Sequence, residues 1–271
     1  VREPFGLHGQ LDNAVQAALV ERLSGEFAVE IGGRTIPAGR RAIVRHGEEL
    51  KIGAAQCGCR AWLAIGGGID VPEVLGSHST DLRSGFGGYS GRALRDGDKF
   101  SAGKVAALSA ETAPVAGWGA LAEWTQTARR APVLRVVRGA EWKSFTRSAR
   151  NAFLETAFRV SAQADRMGVR LEGAALFRAT KREMLSEAVA PGTVQVANDE
   201  QPILLLGDCQ TIGGYPKIAH VITVDLAPAA QLQPNDVVRF QEVSQSEAVA
   251  LFRARENDLE LFRVGLSLRV G

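Results

Sequence analysis

The 271-residue sequence predicts a mainly β protein with a few helices, built as two β-rich halves, and three observations carry that expectation. Thirty glycines punctuate short runs of Val, Ile and Leu, a pattern of strands and tight turns rather than of a helical bundle. Only three segments repeat their apolar residues at helical spacing. The length is enough for a sizeable core and suits two domains of ordinary size.

The first helix is expected from Asp12, a natural N-cap, to Gly25, with Val15, Ala18, Leu19, Arg22 and Leu23 at helical spacing. Strand patterns follow at residues 40–47 (RRAIVRHG), 48–54 (EELKIGA) and 60–67 (RAWLAIGG). Residues 101–130, rich in Ala, Thr and Gly, mark the boundary between a domain at 1–128 and a second at 129–271. Trp118 and Trp124 make that boundary a packed segment rather than a free linker. A second helix is expected over 141–157, with Trp142, Phe145, Ala149, Ala152 and Phe153 on one face. Strands are then expected at 133–139, 192–198, 202–208, 217–226 and 236–243. The third helix opens on a Ser244-x-x-Glu247 capping box and is expected to bury Ala248, Leu251 and Phe252.

Bulk properties exclude several function classes. With 32 basic and 30 acidic residues the net charge is +2, no electrostatic footprint for nucleic acid or an anionic membrane. No stretch approaches the ~20 apolar residues of a membrane helix, and VREPFGLHGQ lacks the apolar core of a signal peptide. Cys57, Cys59 and Cys209 are an odd number, and the C-x-C pair is too tight to bridge comfortably, which favours a reducing, cytoplasmic setting. A chain that begins on Val1 without Met implies a processed or trimmed N-terminus. The histidines (His8, His46, His78, His220) and cysteines show no metal-ligand spacing, so no metal is expected.

Two stretches carry candidate chemistry. The glycine-dense segment 66–92 holds Thr80, Asp81 and Arg83, and reads either as a polar cleft or as a long connection in which Asp81 and Arg83 pair with each other. It lacks the GxxxxGK[ST] of a phosphate loop and the strand–GxGxxG–helix context of a dinucleotide site. The second stretch, GDCQTIGGYPKIAHV at 207–221, interrupts strand-forming sequence with Asp208, Gln210, Thr211, Gly213, Gly214, Tyr215 and Lys217. Alternate positions on an extended chain put Asp208 and Gln210 on one face, while Gly213-Gly214 is expected to turn tightly and to leave the Lys217 ammonium near the loop. A carboxylate, an amide and an ammonium on a β scaffold suit a small anion or carboxylate. In 161–173, Asp165 is expected to accept backbone N–H groups in a turn where Gly168 takes a positive φ.

The stretches LAIGGGIDVPEVLGSHSTDLRSGFGGYSGRALRDGD, SAQADRMGVRLEG and SEAVAPGTVQVANDEQPILLLGDCQTIGGYPKIAHVITVDLAPAAQLQPNDVVRF, in that order, closely resemble one family. It is variously called the 5-oxoprolinase C subunit, allophanate hydrolase subunit 2, the Kip-type antagonist, and the A/B part of the urea carboxylase carboxyltransferase domain. The resemblance runs from about residue 28 to 243 and is most specific at STDLRSGFGG and QTIGGYPKIA. It implies two cyclophilin-like β-barrel subdomains, A-like then B-like, working beside a sister chain.

The chemistry the resemblance implies is the ATP-dependent opening of 5-oxoproline to glutamate, or transfer of a carboxyl group from a partner's carboxybiotin to urea. No cofactor is held covalently, since no Met-Lys-Met biotin site is present. The implied partners are an allophanate-hydrolase-subunit-1-like protein (the 5-oxoprolinase B subunit) and the 5-oxoprolinase A subunit. A regulatory protein that sequesters a sister subunit inhibiting a histidine kinase is the rival expectation. On this resemblance Asp208, Lys217 and Asp81 are the candidate catalytic residues. Arg83, Thr80, Gln195, Gln210, Thr211, Gly213, Gly214 and Tyr215 are the candidate substrate contacts. The family opens on a T-x-Q-D-x-G-R strand and a P-x-S-G-A-x-D motif, whereas His8-Gly9-Gln10-Leu11-Asp12 stands at the second here and about two later strands are missing. The first barrel is therefore left open to being incomplete or degenerate.

Overall fold

A computed structural model describes residues 26–37, 39–103, 115–120, 131–180 and 184–270. The helix expected over 12–25 lies outside them, as do Trp124 and most of the boundary segment. The chain divides into two compact units, one of Val1–Gln56 and Arg60–Gln126, the other of Cys57–Cys59 and Thr127–Gly271.

The first unit carries β1 (Glu26–Ile31), β2 (Arg34–Thr35), β3 (Arg40–Ala42), β4 (Leu50–Cys57, its last residue in the other unit), β5 (Thr80–Asp81), β6 (Phe86–Gly87) and β7 (Val115–Gly119). They form a three-stranded sheet in the order β2-β1-β4 and two-stranded pairs β3-β7 and β5-β6; among the described residues no set of them closes. The small core is Val29, Ile31, Ile36, Ala42 and Val44, the apolar positions of β1 and of the run after β2.

The second unit holds β8 (Val133–Arg138), β9 (Phe158–Val160), β10 (Gly168–Glu172), β11 (Glu187–Ala188), β12 (Thr193–Val196), β13 (Pro202–Leu205), β14 (Ile212–Gly213), β15 (Lys217–Val221) and β16 (Val237–Glu242). Seven of these close a barrel in the order β10-β13-β12-β15-β8-β16-β9, which leaves no unpaired edge. All pairs are antiparallel except β16 with β8. The remaining two, β11 and β14, pair with each other as a short two-stranded ribbon.

Three α-helices lie among the described residues of the second unit: α1 (Arg147–Glu155), α2 (Leu226–Ala229) and α3 (Gln245–Val270). The helix expected over 141–157 is instead a 3₁₀ turn at Trp142–Ser144 and then α1. Phe145 takes an extended conformation between them, and the Thr146 side chain caps α1 by accepting from the Ala149 N–H at 3.1 Å. The amphipathic spacing survives the break because Trp142, Phe145, Ala149 and Phe153 all reach the same core. There Phe153 stacks on Phe240 at 4.5 Å and meets Trp142 edge-on at 6.3 Å. Helix α3 starts as expected, with the Glu247 N–H donating to Ser244 Oγ at 3.1 Å, but Phe252 is 40% exposed rather than buried.

A buried ion pair ties α2 to the barrel. Asp225, 5% exposed, accepts from the Arg135 backbone N–H at 2.7 Å and from its Nε at 2.9 Å, with a further bond to Nη2. The hydrogen bonds that the Arg135 side chain donates to Asp225 raise the Arg135 pKa against the opposing effect of burial.

Candidate functional site

In the second unit, the register of β12 against β15 creates a polar face on the barrel wall. Thr193 pairs with His220 and Val194 with Ala219, but Gln195 then pairs with Lys217 rather than with Ile218. That irregularity is a bulge. It sends both Ile218 and Ala219 into the core and turns Lys217 to the side that carries His220, although the two stand an odd number of residues apart. Thr193, Gln195, Lys217 and His220 thus share one face, opposite the core residues Val194, Val196, Ala219 and Val221.

Neighbouring segments lock the bulge. Glu141 Oε2 accepts the Lys217 backbone N–H at 2.8 Å, and the Glu141 N–H donates to the Lys217 carbonyl at 3.2 Å. Gly139 makes this approach possible, since a Cβ there would collide with the Lys217 carbonyl oxygen. The Lys217 ammonium donates to Glu187 Oε2 of β11 and lies 3.9 Å from Glu141 Oε2. Its side chain is 8% exposed, and that of Glu187 is 55% exposed.

Gln195 is 1% exposed and its Nε2 donates to the Tyr215 carbonyl at 3.2 Å. The β11–β14 ribbon reaches the same face: a Cβ on Gly213 would meet Gln195 Nε2 at 2.7 Å. Gly213 therefore serves close packing and strand pairing, and it does not take the positive φ that a tight Gly-Gly turn requires. Gly214 likewise has no positive φ. His220 Nδ1 is 3.3 Å from Thr193 Oγ1. Burial first, and then the charge of Lys217, lower its pKa below the ordinary 6.5.

That depression has a sign. The unfolded imidazole takes up a proton as pH falls through about 6.5, whereas the folded one resists it. The His220 contribution is accordingly present above that pH and declines below it. An NMR titration of the His220 ring is expected to show a midpoint below 6.5; a midpoint above it would remove the half-buried imidazole from this picture.

The remaining predicted residues of this stretch are arranged differently from the extended chain expected. Residues 207–208 form a turn, with the Cys209 N–H donating to the Leu206 carbonyl at 3.1 Å, so Asp208 and Gln210 are not alternate strand positions. Asp208 pairs with Arg166 Nε at 2.9 Å, both well exposed. The Thr211 carbonyl accepts the Val189 N–H at 2.9 Å and extends the pairing of β11 with β14. Tyr215 is 41% exposed. Asp165 does accept the N–H groups of Met167 and Gly168, at 2.8 and 3.0 Å, but Gly168 begins β10 without a positive φ.

In the first unit, Thr80 and Asp81 pair with Gly87 and Phe86 in a β hairpin. Asp81 Oδ1 accepts the N–H groups of Arg83 at 2.9 Å and Ser84 at 3.0 Å. The bonds from Ser84, more than the nearby Arg83, lower the Asp81 pKa, so this carboxylate holds its turn in the ionised form. Gly88 follows with φ +49°, and a Cβ there would collide with Thr80 Oγ1. Beyond the hairpin, Arg92 grips Asp98 at 2.7 and 2.8 Å, holding the Asp98 pKa at about 2. The candidate residues therefore fall into two groups, Thr80, Asp81 and Arg83 in one unit and the Lys217 cluster in the other.

Sequence reasoning missed Glu141 and Glu187, the two carboxylates around Lys217. A Gly139 closing β8 two residues before an acid was a usable signal for the first, since such a glycine marks close backbone approach. Nothing in the segment around Glu187 marks it. Among the described residues no three His, Cys, Asp or Glu side chains stand together as a metal site, and no helix is long and apolar enough to cross a membrane.

The family model for the carboxyltransferase domain, subdomain A and B, matches residues 8–242. The 5-oxoprolinase C subunit of Escherichia coli is 39% identical over 226 residues, covering 83% of this chain and 68% of that protein. The 5-oxoprolinase C subunit of Haemophilus influenzae is 36% identical over 222 residues, covering 81% and 68%. The crystal structure of Kluyveromyces lactis urea carboxylase superposes with a TM-score of 0.80 at 26% identity, over 92% of this chain and 23% of that one. The chain thus spans about two thirds of the length of the curated 5-oxoprolinase proteins it matches.

Proposed function

This chain belongs to the carboxyltransferase domain, subdomain A and B, family, and on that premise we propose that it is a non-autonomous subunit of an ATP-dependent 5-oxoprolinase, opening the lactam of 5-oxoproline to glutamate in the cytoplasm. Residues 1–128 are assigned as the A-like and 129–271 as the B-like subdomain. The 5-oxoprolinase reading is preferred to urea carboxylation because identity to the two 5-oxoprolinase proteins, 39% and 36%, exceeds the 28% to the urea amidolyase of Lachancea kluyveri.

The observation that carries the reading is the polar face around the bulge at Ile218, where an ammonium is buried beside an amide and an imidazole. Lys217 is assigned to neutralise an anionic oxygen, and Gln195 to hydrogen-bond the lactam. Tyr215, Gly213, Gly214 and Thr211 are assigned to the ribbon that shapes the site, with Asp208 and Gln210 at its outer turn. On the other unit, Arg83 and Thr80 are assigned as contacts to an anionic group, with Asp81 setting the hairpin that presents them. ATP is consumed by the assembled complex, and a carboxyltransferase alternative would take carboxybiotin from a partner; no atom of this chain is assigned to either.

As one subunit of a larger assembly, the chain is expected to need partners. Co-expression with an allophanate-hydrolase-subunit-1-like protein (the 5-oxoprolinase B subunit) and with the A subunit should yield one complex on size exclusion that converts 5-oxoproline to glutamate with ATP. Its interface should bury at least the ~1,200 Å² of a specific contact. The isolated chain should show no turnover. Separate elution at micromolar concentration would sink the heteromer, and release of a sister subunit from a histidine kinase without any turnover would favour the regulatory rival.

A further inference from the structure

We propose that Glu187 is a placeholder for a carboxylate of the ligand, occupying the Lys217 ammonium in the free chain and yielding it to the bound anion. The inference rests on reading the polar face as the ligand site. The ion pair is asymmetric: the ammonium side chain is 8% exposed, whereas its carboxylate partner is 55% exposed. The cation is built into the wall, and its counter-charge reaches in from the solvent side.

An ammonium has three N–H donors. Among the described residues Glu187 is the one acceptor within hydrogen-bonding distance of Lys217 Nζ. Glu141 Oε2 stands 3.9 Å away and already accepts the Lys217 backbone N–H at 2.8 Å. The buried ammonium is therefore held by one direct carboxylate contact and one longer one, the acceptor chemistry that a ligand carboxylate also offers. A ligand carboxylate brings two acceptor oxygens to the same ammonium.

The support of Glu187 suits exchange. It sits on β11, two residues long and paired with the two residues of β14. Its displacement returns to water a carboxylate that is already half hydrated, while Lys217 stays fixed by the bulge and by Glu141. Gln195 stands directly across from Lys217 on β12, so a carboxylate that also bears an amide or lactam group places both functions on the polar face. Glu187 then sets specificity: a neutral lactam gains nothing by removing it, whereas an acid must compete with it.

The test is calorimetric titration of the isolated chain and its Glu187→Gln variant with 5-oxoproline and with 2-pyrrolidinone, the same lactam without the carboxylate. Removing the competing charge should tighten 5-oxoproline binding about tenfold and leave 2-pyrrolidinone unchanged. Glu187→Asp, which keeps the charge, should stay near the parent. Unchanged or weaker 5-oxoproline binding by Glu187→Gln overturns the proposal even if the assembled complex turns over 5-oxoproline. Should 5-oxoproline fail to bind any variant, acetate and glutarate decide: a gain for these acids in Glu187→Gln keeps the placeholder and overturns only the choice of substrate. No gain for any acid overturns the placeholder.

Discussion

Asp225→Ala is expected to lower the stability of the second unit by about 3 kcal/mol, the cost of leaving one partner of a buried ion pair without the other. The carboxylate is 5% exposed and accepts from the Arg135 backbone N–H, Nε and Nη2. Its loss leaves a cation and a backbone donor without their acceptor in the wall of the barrel. The Arg135 side chain is 33% exposed and recovers some hydration, which holds the estimate at the lower end of the usual 3–5 kcal/mol. For a unit of this size such a loss corresponds to a fall of roughly 10 °C in Tm. Thermal unfolding by circular dichroism measures it. A fall below about 2 °C would mean that α2 does not depend on this pair for its place against β8.

The strands of this unit were legible because their cores alternate or run continuously apolar. The expected segments 133–139, 192–198 and 202–208 contain β8, β12 and β13. The helix at 141–157 was misread for a reason that lies in the same residues. Trp142, Phe145, Ala149 and Phe153 share one core, so periodicity alone joins them. Thr146, a capping residue in the middle of the pattern, was the local sign that a new helix starts there.

The site was less legible than the fold. The chemistry of Gln195, Lys217, Gly213 and Tyr215 was visible as residue types on one β scaffold. Their arrangement was not, because a bulge depends on the register of the partner strand rather than on any local period. Glu187 and Glu141 come from segments 30 and 76 residues away in the chain, beyond the reach of any window that reads spacing. Lys217, expected near the loop, is instead buried in the barrel wall, so its replacement costs stability as well as charge.

Lys217→Met in the assembled complex is expected to lower turnover about a hundredfold, the consequence of removing the charge that holds the substrate's anionic group in position. Met keeps most of the apolar stem that the bulge packs into the wall, so the change isolates the ammonium. The same variant should lose about 2 kcal/mol of stability, because Glu187 and Glu141 lose the cation between them. The loss stays moderate because Glu187, half exposed, can turn to water. The two effects separate a site from a brace: a structural lysine would give the stability loss with turnover per folded complex intact. Adding Glu187→Gln to Lys217→Met makes the separation sharper. The double variant relieves the stranded carboxylate and should recover part of the stability, yet it restores no cation to the polar face. Stability is therefore expected to rise while turnover stays low, and a parallel recovery of both would show that the ammonium acts only by holding the ribbon in place.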